Sequence, residues 1–300
     1  MSEGCAMIAG IETGGTKIVC GVADRENLTE PRSIRRFPTT TPEETLGRIA
    51  DFLAEVGPVE AVGIASFGPV DADPASPHYG FVTSTPKPGW KDTDVLSAVR
   101  DAANAPAAFV SDVTGAAIGE SRAGAARGAR NVGYATIGTG VGVGLVVDGQ
   151  PLTGNGWPEL GHLLVRRHPA DRFEGHCPYH GDCLEGLTAG PAVLARWGVD
   201  ASSFPAGQKD EAFDILAYYI AQLAWTTVLT LGLDRLVLGG GVMLAPGLLE
   251  RTRPALTAIA GGYGPPQVAT GDPRDLLVAP GLEGKSGLVG ALSLAADLVS

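Results

Sequence analysis

Two short segments of the sequence repeat one pattern, in which an apolar strand, a tight turn rich in glycine and a second apolar strand follow each other. The first turn is Gly14-Gly15, and the second is Gly138-Thr139-Gly140, which begins 124 positions later. A hairpin repeated at the start of two half-chains indicates a duplicated domain. Because 300 residues exceed what one compact core usually organises, we expect two domains with a ligand-binding cleft between them.

Helix-like and strand-like segments alternate along the rest of the chain. Helical periodicity covers residues 42–56, about 115–125, about 211–231 and 286–298. Apolar strands cover residues 61–65, 107–110 and 235–238, and residues 67–90 form a loop rich in proline and glycine. This alternation predicts an α/β fold with mixed sheets.

The acidic balance of the chain excludes some classes of partner. The formal net charge is −11, so the surface does not favour nucleic acid or an anionic membrane, and any phosphate must be held locally. No apolar run approaches the roughly 18 residues of a membrane span, and residues 1–4 lack the basic start of a signal peptide. We therefore expect a cytoplasmic protein.

The first glycine turn, in the run Glu12-Thr13-Gly14-Gly15-Thr16-Lys17, is suited to phosphate. Glycine has no Cβ, so the backbone N–H groups of such a turn can approach phosphate oxygens, while Thr16 adds a hydroxyl and Lys17 a charge. Taken alone, a simple hairpin explains the glycines equally well. The second turn favours phosphate, because two hairpins facing across a cleft can hold opposite ends of one triphosphate. Neither turn has the spacing of a Walker loop or a Rossmann fingerprint.

Asp112 follows an apolar strand and precedes a helix. The positive end of a helix dipole keeps a carboxylate ionised there, and the carboxylate could accept a hydroxyl proton during phosphoryl transfer. However, Ser111, Asp112 and Thr114 are all preferred N-cap residues, and from position alone a capping role is favoured.

The most specific local pattern is Cys177-Pro-Tyr-His180-Gly-Asp-Cys183, with His162 fifteen residues before Cys177. These four side chains can bind a tetrahedral zinc, and such a site would be closed and structural. A Cys177–Cys183 disulfide, disfavoured in a reducing cytosol, and a chance grouping are the alternatives. His168 and His176 are alternative ligands, and Cys5 and Cys20 in apolar runs are expected to be small buried hydrophobes.

Two glutamates flank the proposed metal loop. Glu159 lies three residues before His162, and Glu185 lies two after Cys183, so a metal here would position both carboxylates. Carboxylates that converge in a cleft can accept hydrogen bonds from sugar hydroxyls. Without the metal, these glutamates are more simply explained as solvated surface charge.

Together these segments resemble the ROK family of repressors, open reading frames and sugar kinases, within the actin-like ATPase fold. The resemblance covers nearly the whole chain. It includes the first hairpin, the run Ser111-Asp112-Val113-Thr114-Gly115-Ala116-Ala117-Ile118-Gly119-Glu120, the second hairpin, Glu159-Leu160-Gly161-His162, the zinc segment, Leu238-Gly239-Gly240-Gly241-Val242 and the final helix.

The resemblance implies two actin-like (ribonuclease H-like) domains, residues 1–117 joined by 286–300, and residues 118–285 with a zinc loop at 159–185. It implies that Asp112 is the catalytic base, that Mg²⁺ accompanies ATP, and that the protein is a homodimer. Sugar contacts would come from Thr114, Glu159, His162 and Glu185. ATP contacts would come from Gly14, Gly15, Thr16, Lys17, Gly138, Thr139, Gly140, Gly239 and Gly240.

Within the family, the sequence looks most like the bacterial fructokinase branch. Glu12, the tract from Ser84 to Trp90 and His180 carry this resemblance, which implies transfer of phosphate from ATP to fructose. Thr114 departs from the usual Asn and could keep only one of the amide's hydrogen bonds, which leaves glucokinase, mannokinase and amino-sugar kinase activities as alternatives.

Two other classes compete with a kinase. A ROK repressor would carry a helix-turn-helix domain before the first hairpin, but that hairpin begins near residue 6 and the net charge opposes DNA binding. A zinc module for binding protein or nucleic acid would explain Cys177 and Cys183 but neither glycine hairpin.

Overall fold

The structure, a computed structural model, describes residues 7–85, 87–153 and 158–300. Cys5 and Pro86, which the sequence places in an apolar run and in the tract before Trp90, lie outside the described residues. The described chain forms two compact units. The first contains residues up to Arg127, a short piece from Pro151 and Gly281–Ser300, and the second contains Gly128–Gln150 and Pro158–Pro280.

Strands and helices alternate through both units. In chain order the strands are β1 (Met7–Thr13), β2 (Lys17–Asp24), β3 (Ser33–Pro38), β4 (Val62–Ser66), β5 (Phe81–Val82), β6 (Thr93–Asp94), β7 (Ala107–Ser111), β8 (Val132–Ile137), β9 (Val141–Val147), β10 (Gln150–Pro151), β11 (Arg235–Gly239) and β12 (Leu277–Val278). The α-helices are α1 (Pro42–Val56), α2 (Val95–Ala103), α3 (Asp112–Ala123), α4 (Leu184–Thr188), α5 (Gly190–Trp197), α6 (Ala206–Leu231), α7 (Leu248–Ala260), α8 (Pro266–Ala269) and α9 (Ser286–Leu298).

The sheet of the first unit has the strand order β3-β2-β1-β4-β7. β1 and β2 form the antiparallel glycine hairpin, whereas β4 and β7 run parallel to β1. In this register Thr13, Ser66 and Ser111 lie side by side at the carboxyl ends of three parallel strands. The first glycine turn and the start of α3 are therefore at the same edge of one sheet.

The sheet of the second unit repeats this arrangement. Its order is β10-β9-β8-β11-β12, with β8 and β9 as the antiparallel hairpin and with β11 and β12 parallel to β8. The α/β class with mixed sheets, predicted from the alternation of segments, is confirmed.

Helix α1 shows how local sequence sets the boundaries. Thr41 caps its start by accepting a hydrogen bond from the N–H of Glu44 at 3.4 Å, and Pro42 occupies the first turn, where its missing N–H has no cost. Ile49, Phe52 and Leu53 recur at helical spacing and are buried against the sheet. The helix has the bounds that the periodicity predicts.

Two helices begin earlier than their periodicity suggests. Helix α3 starts at Asp112 because Ser111 caps it, not near residue 115. Helix α6 starts at Ala206, five residues before the apolar pattern becomes visible, and Pro205 precedes it. Since polar first turns carry little periodicity, the sequence pattern misses them.

Helix α6 also corrects the expectation that no apolar run reaches the length of a membrane span. Among the described residues, Gly207–Leu231 is long and apolar enough by length and composition. However, 67% of its most apolar window is buried inside the protein. Phe213, Leu216 and Tyr219 on this helix are part of the core of the second unit, which is how the central helix of a globular domain is built.

Helices α3 and α9 pack with their backbones in contact. A Cβ atom at Gly290 would lie 1.7 Å from the carbonyl oxygen of Gly115, and one at Gly119 would lie 2.3 Å from that of Ser286. Such an approach is possible only for glycine. Because α3 is fixed to α9 in this way, the first compact unit includes all of α3 and extends to Arg127.

A buried carboxylate adds to this contact. Glu120 of α3 is fully buried. It accepts hydrogen bonds from the backbone N–H groups of Ala125 at 2.7 Å, Gly281 at 3.0 Å and Leu282 at 3.3 Å, and from the hydroxyl of Ser286 at 2.6 Å. The helix that begins at Asp112 is thereby tied to the residues just before α9.

Candidate active site and metal centre

The first glycine turn is held by bonds that leave its tip exposed. The N–H of Gly14 donates to the carbonyl of Lys17 at 2.9 Å, and a Cβ on Gly14 would lie 2.8 Å from that oxygen. Thr39 fixes the turn from outside, since its hydroxyl donates to the carbonyl of Gly14 at 2.6 Å and its N–H to that of Thr16 at 3.0 Å. Gly15, Thr16 and Lys17 are exposed. This geometry presents backbone, hydroxyl and ammonium groups to a ligand.

Glu12 lies beneath this turn, and the sequence analysis did not select it as a site residue. Its side chain packs against Gly287, where a Cβ would come within 2.6 Å of the carboxyl carbon. Burial raises its pKa, while the Lys17 charge, the Leu288 N–H and the Arg36 charge act in the opposite direction. Its Oε2 atom is buried without a hydrogen-bond partner among the described residues. In the sequence, the sign of its special role is an acidic residue within an otherwise apolar strand.

Asp112 is the first residue of α3. The cap is Ser111, whose hydroxyl accepts the N–H of Thr114 at 3.2 Å and donates to the Thr114 hydroxyl at 2.8 Å. Asp112 itself accepts the N–H of Val113 at 2.8 Å. The capping explanation for this run therefore applies to Ser111. Thr114, the predicted sugar contact, is buried, and its hydroxyl is engaged within the helix.

In the second unit, the glycine turn is joined to Glu185. The N–H of Gly138 donates to the carbonyl of Gly140 at 2.9 Å, and Thr139 is exposed. The N–H of Val141 donates to Oε2 of Glu185 at 2.9 Å, and a Cβ on Gly140 would lie 2.8 Å from the same atom. The structure thus brings a predicted sugar residue against the predicted phosphate turn.

The loop after β11 also meets this turn. Gly240 has a φ of 90°, and a Cβ there would lie 2.5 Å from the backbone nitrogen of Ile137, at the end of β8. The N–H of Val242 donates to the carbonyl of Ile137 at 2.9 Å. A Cβ on Gly239 would lie 2.6 Å from the hydroxyl oxygen of Tyr134. Gly239 and Gly240 therefore lie next to the base of the second hairpin.

His162, Cys177, His180 and Cys183 come together as predicted, with all of their ligand atoms within 4.8 Å of one another. Nδ1 of His162 lies 3.5 Å from Sγ of Cys183 and 3.8 Å from Sγ of Cys177, which lies 3.8 Å from Nδ1 of His180. A zinc tetrahedron with normal Zn–S and Zn–N bonds has S···N edges of about 3.6 Å. The quartet therefore has the dimensions of a zinc site.

Backbone bonds set this arrangement. Cys177 and Gly181 exchange two backbone hydrogen bonds, at 3.0 and 2.9 Å, and Gly181 has a φ of 65°, which glycine favours. The N–H of Leu184 donates to the carbonyl of Leu163 at 2.9 Å, which brings the residue after His162 beside the residue after Cys183.

The alternative disulfide and the two alternative histidine ligands are not part of this group. Cys177 and Cys183 are both free thiols, so the disulfide is absent. Among the described residues, the metal-binding group contains neither His168 nor His176. His168 instead accepts the N–H of Ala170 on its Nδ1 at 3.3 Å. Cys20 is buried, as predicted, and burial raises its pKa to about 12.

A second buried acid supports the metal loop. Asp171 accepts the hydroxyl of Tyr219 at 2.6 Å, the N–H of Phe173 at 2.8 Å and the guanidinium of Arg196 at 2.7 Å. Burial opposes ionisation, but these hydrogen bonds and charges hold the pKa of Asp171 below its ordinary value. The network fastens the segment between His162 and Cys177 to α5 and α6.

The family follows from the comparison with known sequences. The model of the ROK family matches residues 8–298. The chain belongs to the ROK family. The fructokinase of Zymomonas mobilis subsp. mobilis is 40% identical over 291 residues, which cover 95% of each chain.

Solved ROK structures share the fold over nearly the whole chain. The ROK hexokinase of Thermus thermophilus superposes with a TM-score of 0.80 at 26% identity and covers 98% of this chain and 99% of its own. A ROK glucokinase from Streptomyces griseus, in complex with glucose and AMPPNP, has a TM-score of 0.72 at 26% identity and covers 97% and 100%.

The structure groups most of the predicted ROK site residues within the two units. The first unit holds Asp112 and Thr114 at the same sheet edge as the turn from Gly14 to Lys17. The second unit brings Glu185, Gly239 and Gly240 to its glycine turn and assembles the Cys/His quartet. Glu159 is exposed and directly precedes the 3-10 turn Leu160–His162, and its carbonyl accepts the N–H of His162 at 3.0 Å.

Proposed function

We propose that this protein is an ATP-dependent hexose kinase that transfers phosphate to the 6-hydroxyl of fructose. The observation that carries the proposal is the placement of Asp112 and the exposed turn from Gly14 to Lys17 at one edge of the same sheet. That edge combines a proton acceptor with groups that bind phosphate. The identity of 40% to the Zymomonas fructokinase supports fructose as the substrate.

Asp112 acts as the general base in this proposal. As the sugar 6-oxygen forms its bond to the γ-phosphorus, the bond from that phosphorus to the β,γ-bridging oxygen breaks, ADP leaves, and the hydroxyl proton passes to the Asp112 carboxylate. The N-terminal end of α3 favours the ionised carboxylate. Because Ser111 already caps the helix, the carboxylate is not needed for that purpose.

The glycine turns bind ATP in this proposal. In the first unit the ATP contacts are Gly14, Gly15, Thr16 and Lys17. In the second unit they are Gly138, Thr139, Gly140, Gly239 and Gly240. Mg²⁺ offsets charge on the transferred phosphoryl group when bound. Oxygen ligands suit this ion, and the buried Glu12 Oε2, which has no hydrogen-bond donor among the described residues, would hold it directly or through its water.

The sugar contacts we propose are Thr114, Glu159, His162 and Glu185. Glu185 also lies beside the ATP contacts of the second glycine turn, since it accepts the N–H of Val141 there. The Thr114 hydroxyl is bonded to Ser111, so this residue offers the sugar less than the Asn usual in the family.

We further propose a structural zinc held by His162, Cys177, His180 and Cys183. The dimensions of the quartet support it, and four protein ligands leave no position open for catalysis. We also propose that the protein is a cytoplasmic homodimer without nucleic-acid partners. The free thiols support the cytoplasm as the compartment. The net charge of −11 supports the absence of nucleic-acid partners.

The test is ADP release from Mg²⁺-ATP with fructose, mannose, glucose and N-acetylmannosamine in separate reactions. We expect the highest kcat/KM with fructose and a 6-phosphate product by NMR. Preference for another hexose would replace the substrate and keep the kinase. No turnover with any sugar from a folded, metal-replete protein would overturn the proposal.

A further inference from the structure

Lys87 reaches the first glycine turn from a distant part of the chain. Its Nζ donates to the carbonyl of Gly15 at 2.5 Å, although the two residues are 72 positions apart. The same ammonium lies 5.9 Å from the centre of the Phe67 ring. Gly15 is the exposed tip of the turn between β1 and β2. The Lys87 charge is therefore at the turn that we expect to face phosphate.

The segment that carries Lys87 is anchored in the core of the first unit. Trp90 is fully buried, its indole N–H donates to the carbonyl of Thr40 at 2.8 Å, and its ring meets that of Phe67 edge-on at 5.0 Å. The backbone N–H of Trp90 donates to the carbonyl of Lys87 at 3.2 Å. Lys87 is thus one tight turn from a buried anchor.

The same short stretch holds both the anchor and the glycine turn. Thr40 accepts the Trp90 indole, and the preceding Thr39 bonds the carbonyls of Gly14 and Thr16. The position of Lys87 relative to the turn is consequently set by buried groups and backbone bonds. These contacts place the backbone of Lys87 within reach of Gly15, and its side chain makes the hydrogen bond.

Neither ammonium at the turn forms a close ion pair with a described residue, although the Lys17 charge acts on the buried Glu12 carboxylate. Among the residues that the structure describes, no carboxylate oxygen lies within 4.0 Å of the ammonium of Lys17 or Lys87. An ammonium has three N–H donors, and Lys87 directs one of them to the neutral carbonyl of Gly15. Two such ammonium groups beside an exposed glycine turn favour a multiply charged anion over a neutral ligand.

We infer that Lys87 is a second phosphate-binding lysine, and that its ligand is the phosphoryl group that passes from ATP to the sugar. This inference rests on the proposed function. Lys87 binds the non-bridging oxygens of the γ-phosphate before transfer and those of the sugar phosphate afterwards. Its ammonium offsets the negative charge of the phosphoryl group during transfer.

The test compares Lys87→Met with Lys91→Met, which removes an exposed lysine four positions along the chain. Steady-state kinetics give kcat and KM for ATP and fructose, and calorimetry gives the affinities for ADP, for a non-hydrolysable ATP analogue and for inorganic triphosphate. For Lys87→Met we expect kcat/KM for ATP to fall about 10- to 100-fold. Affinity for the analogue and triphosphate should fall as well, while affinity for ADP and the thermal midpoint stay near wild type. Lys91→Met should match wild type, and Lys87→Arg should recover part of the loss.

Other outcomes separate the two proposals. If wild type phosphorylates fructose and Lys87→Met keeps wild-type kinetics and triphosphate affinity, the inference is wrong and the proposed function stands. An equal loss of ADP and ATP affinity would also overturn it, since the contact would not distinguish the transferred group. If wild type turns over no hexose, the proposed function fails, and triphosphate binding by the two variants still decides whether Lys87 binds phosphate.

Discussion

The hydroxyl of Ser286 donates to Oε1 of Glu120 at 2.6 Å, across 166 positions of sequence. The same carboxylate receives backbone N–H groups from both sides of the α3–α9 contact. It is fully buried, so each donor would be left unsatisfied if the acceptor changed. This contact fixes the helix that begins with the proposed catalytic base.

Replacement of Glu120 by Gln should destabilise the protein without unfolding it. The new amide places N–H donors against N–H donors, and we expect a loss of about 3 kcal/mol in the free energy of unfolding. Urea denaturation of the metal-replete protein measures this loss in the free energy of unfolding. Glu283→Gln, an exposed change in the neighbouring segment, is the matched control and should be neutral. Equal midpoints for the two variants would contradict the buried role of Glu120.

Asp112→Asn should strongly reduce turnover while leaving the fold intact. Only the proton acceptor is removed, so kcat should fall about 10³-fold with little change in the affinity for an ATP analogue. The helix should persist because Ser111 provides the cap. Ser111→Ala should show the reverse effect, with a lower thermal midpoint. Near-normal kcat in Asp112→Asn would leave the protein without its proposed base.

Glu12→Gln should separate stability from activity. Burial raises the pKa of Glu12, so at neutral pH the ionised group costs free energy that an amide of the same shape avoids. We expect the ligand-free variant to have a higher thermal midpoint than wild type at pH 7. This difference should shrink as the pH falls and wild-type Glu12 takes up its proton. The same variant should need more Mg²⁺ for half-maximal rate; an unchanged requirement would place the ion elsewhere.

The metal centre should contain one zinc per chain. Elemental analysis after dialysis measures the content, and chelation should lower the thermal midpoint because binding is linked to folding. Cys183→Ala should lose the metal. His168→Gln is the control, since His168 lies outside the quartet and should leave the zinc content unchanged. Zinc-free wild type, isolated without chelator, would refute the site.

The Asp171 network should make the stability of the protein depend on pH in the acidic range. The pKa of Asp171 in the folded protein lies below its value of about 3.9 in an unfolded chain. The ionised carboxylate therefore stabilises the folded state fully above a pH of about 3.9, and this stabilisation is lost as the pH falls through the folded pKa. Wild type should therefore have a larger free energy of unfolding than Asp171→Asn at pH 6, and the difference between the two should narrow below a pH of about 4. A gap that is constant down to pH 3 would be inconsistent with this assignment.

Local patterns in the sequence predicted much of this structure. The glycine turns, the bounds of α1 and α9 and the Cys/His quartet depend on residues close together in the chain or on strict periodicity, and all appear in the structure. The role of Asp112 was ambiguous, because three neighbouring residues could have capped the helix. The structure selects Ser111 as the cap.

Other features could not be foreseen, because they arise from contacts between distant segments. The burial of Glu12 depends on Gly287 of α9. The attachment of Glu185 to the second turn depends on Val141, 44 positions away. Lys87 contacts Gly15 across 72 positions, from a segment whose Trp90 is buried in the core. In each case a polar side chain meets a backbone group that sequence periodicity does not describe.

The α3–α9 contact has a consequence for how the protein is made. The face of the first sheet that carries Gly63 packs on α9, where a Cβ would lie 1.8 Å from the carbonyl oxygen of Ala291. On the ribosome, Glu120 emerges 161 positions before its partner Gly281. At translation rates of about 5–20 residues per second, this delay is about 8–30 s. We therefore expect the nascent first unit to expose an apolar face while the second unit folds, which makes it a natural client for chaperones that bind during synthesis.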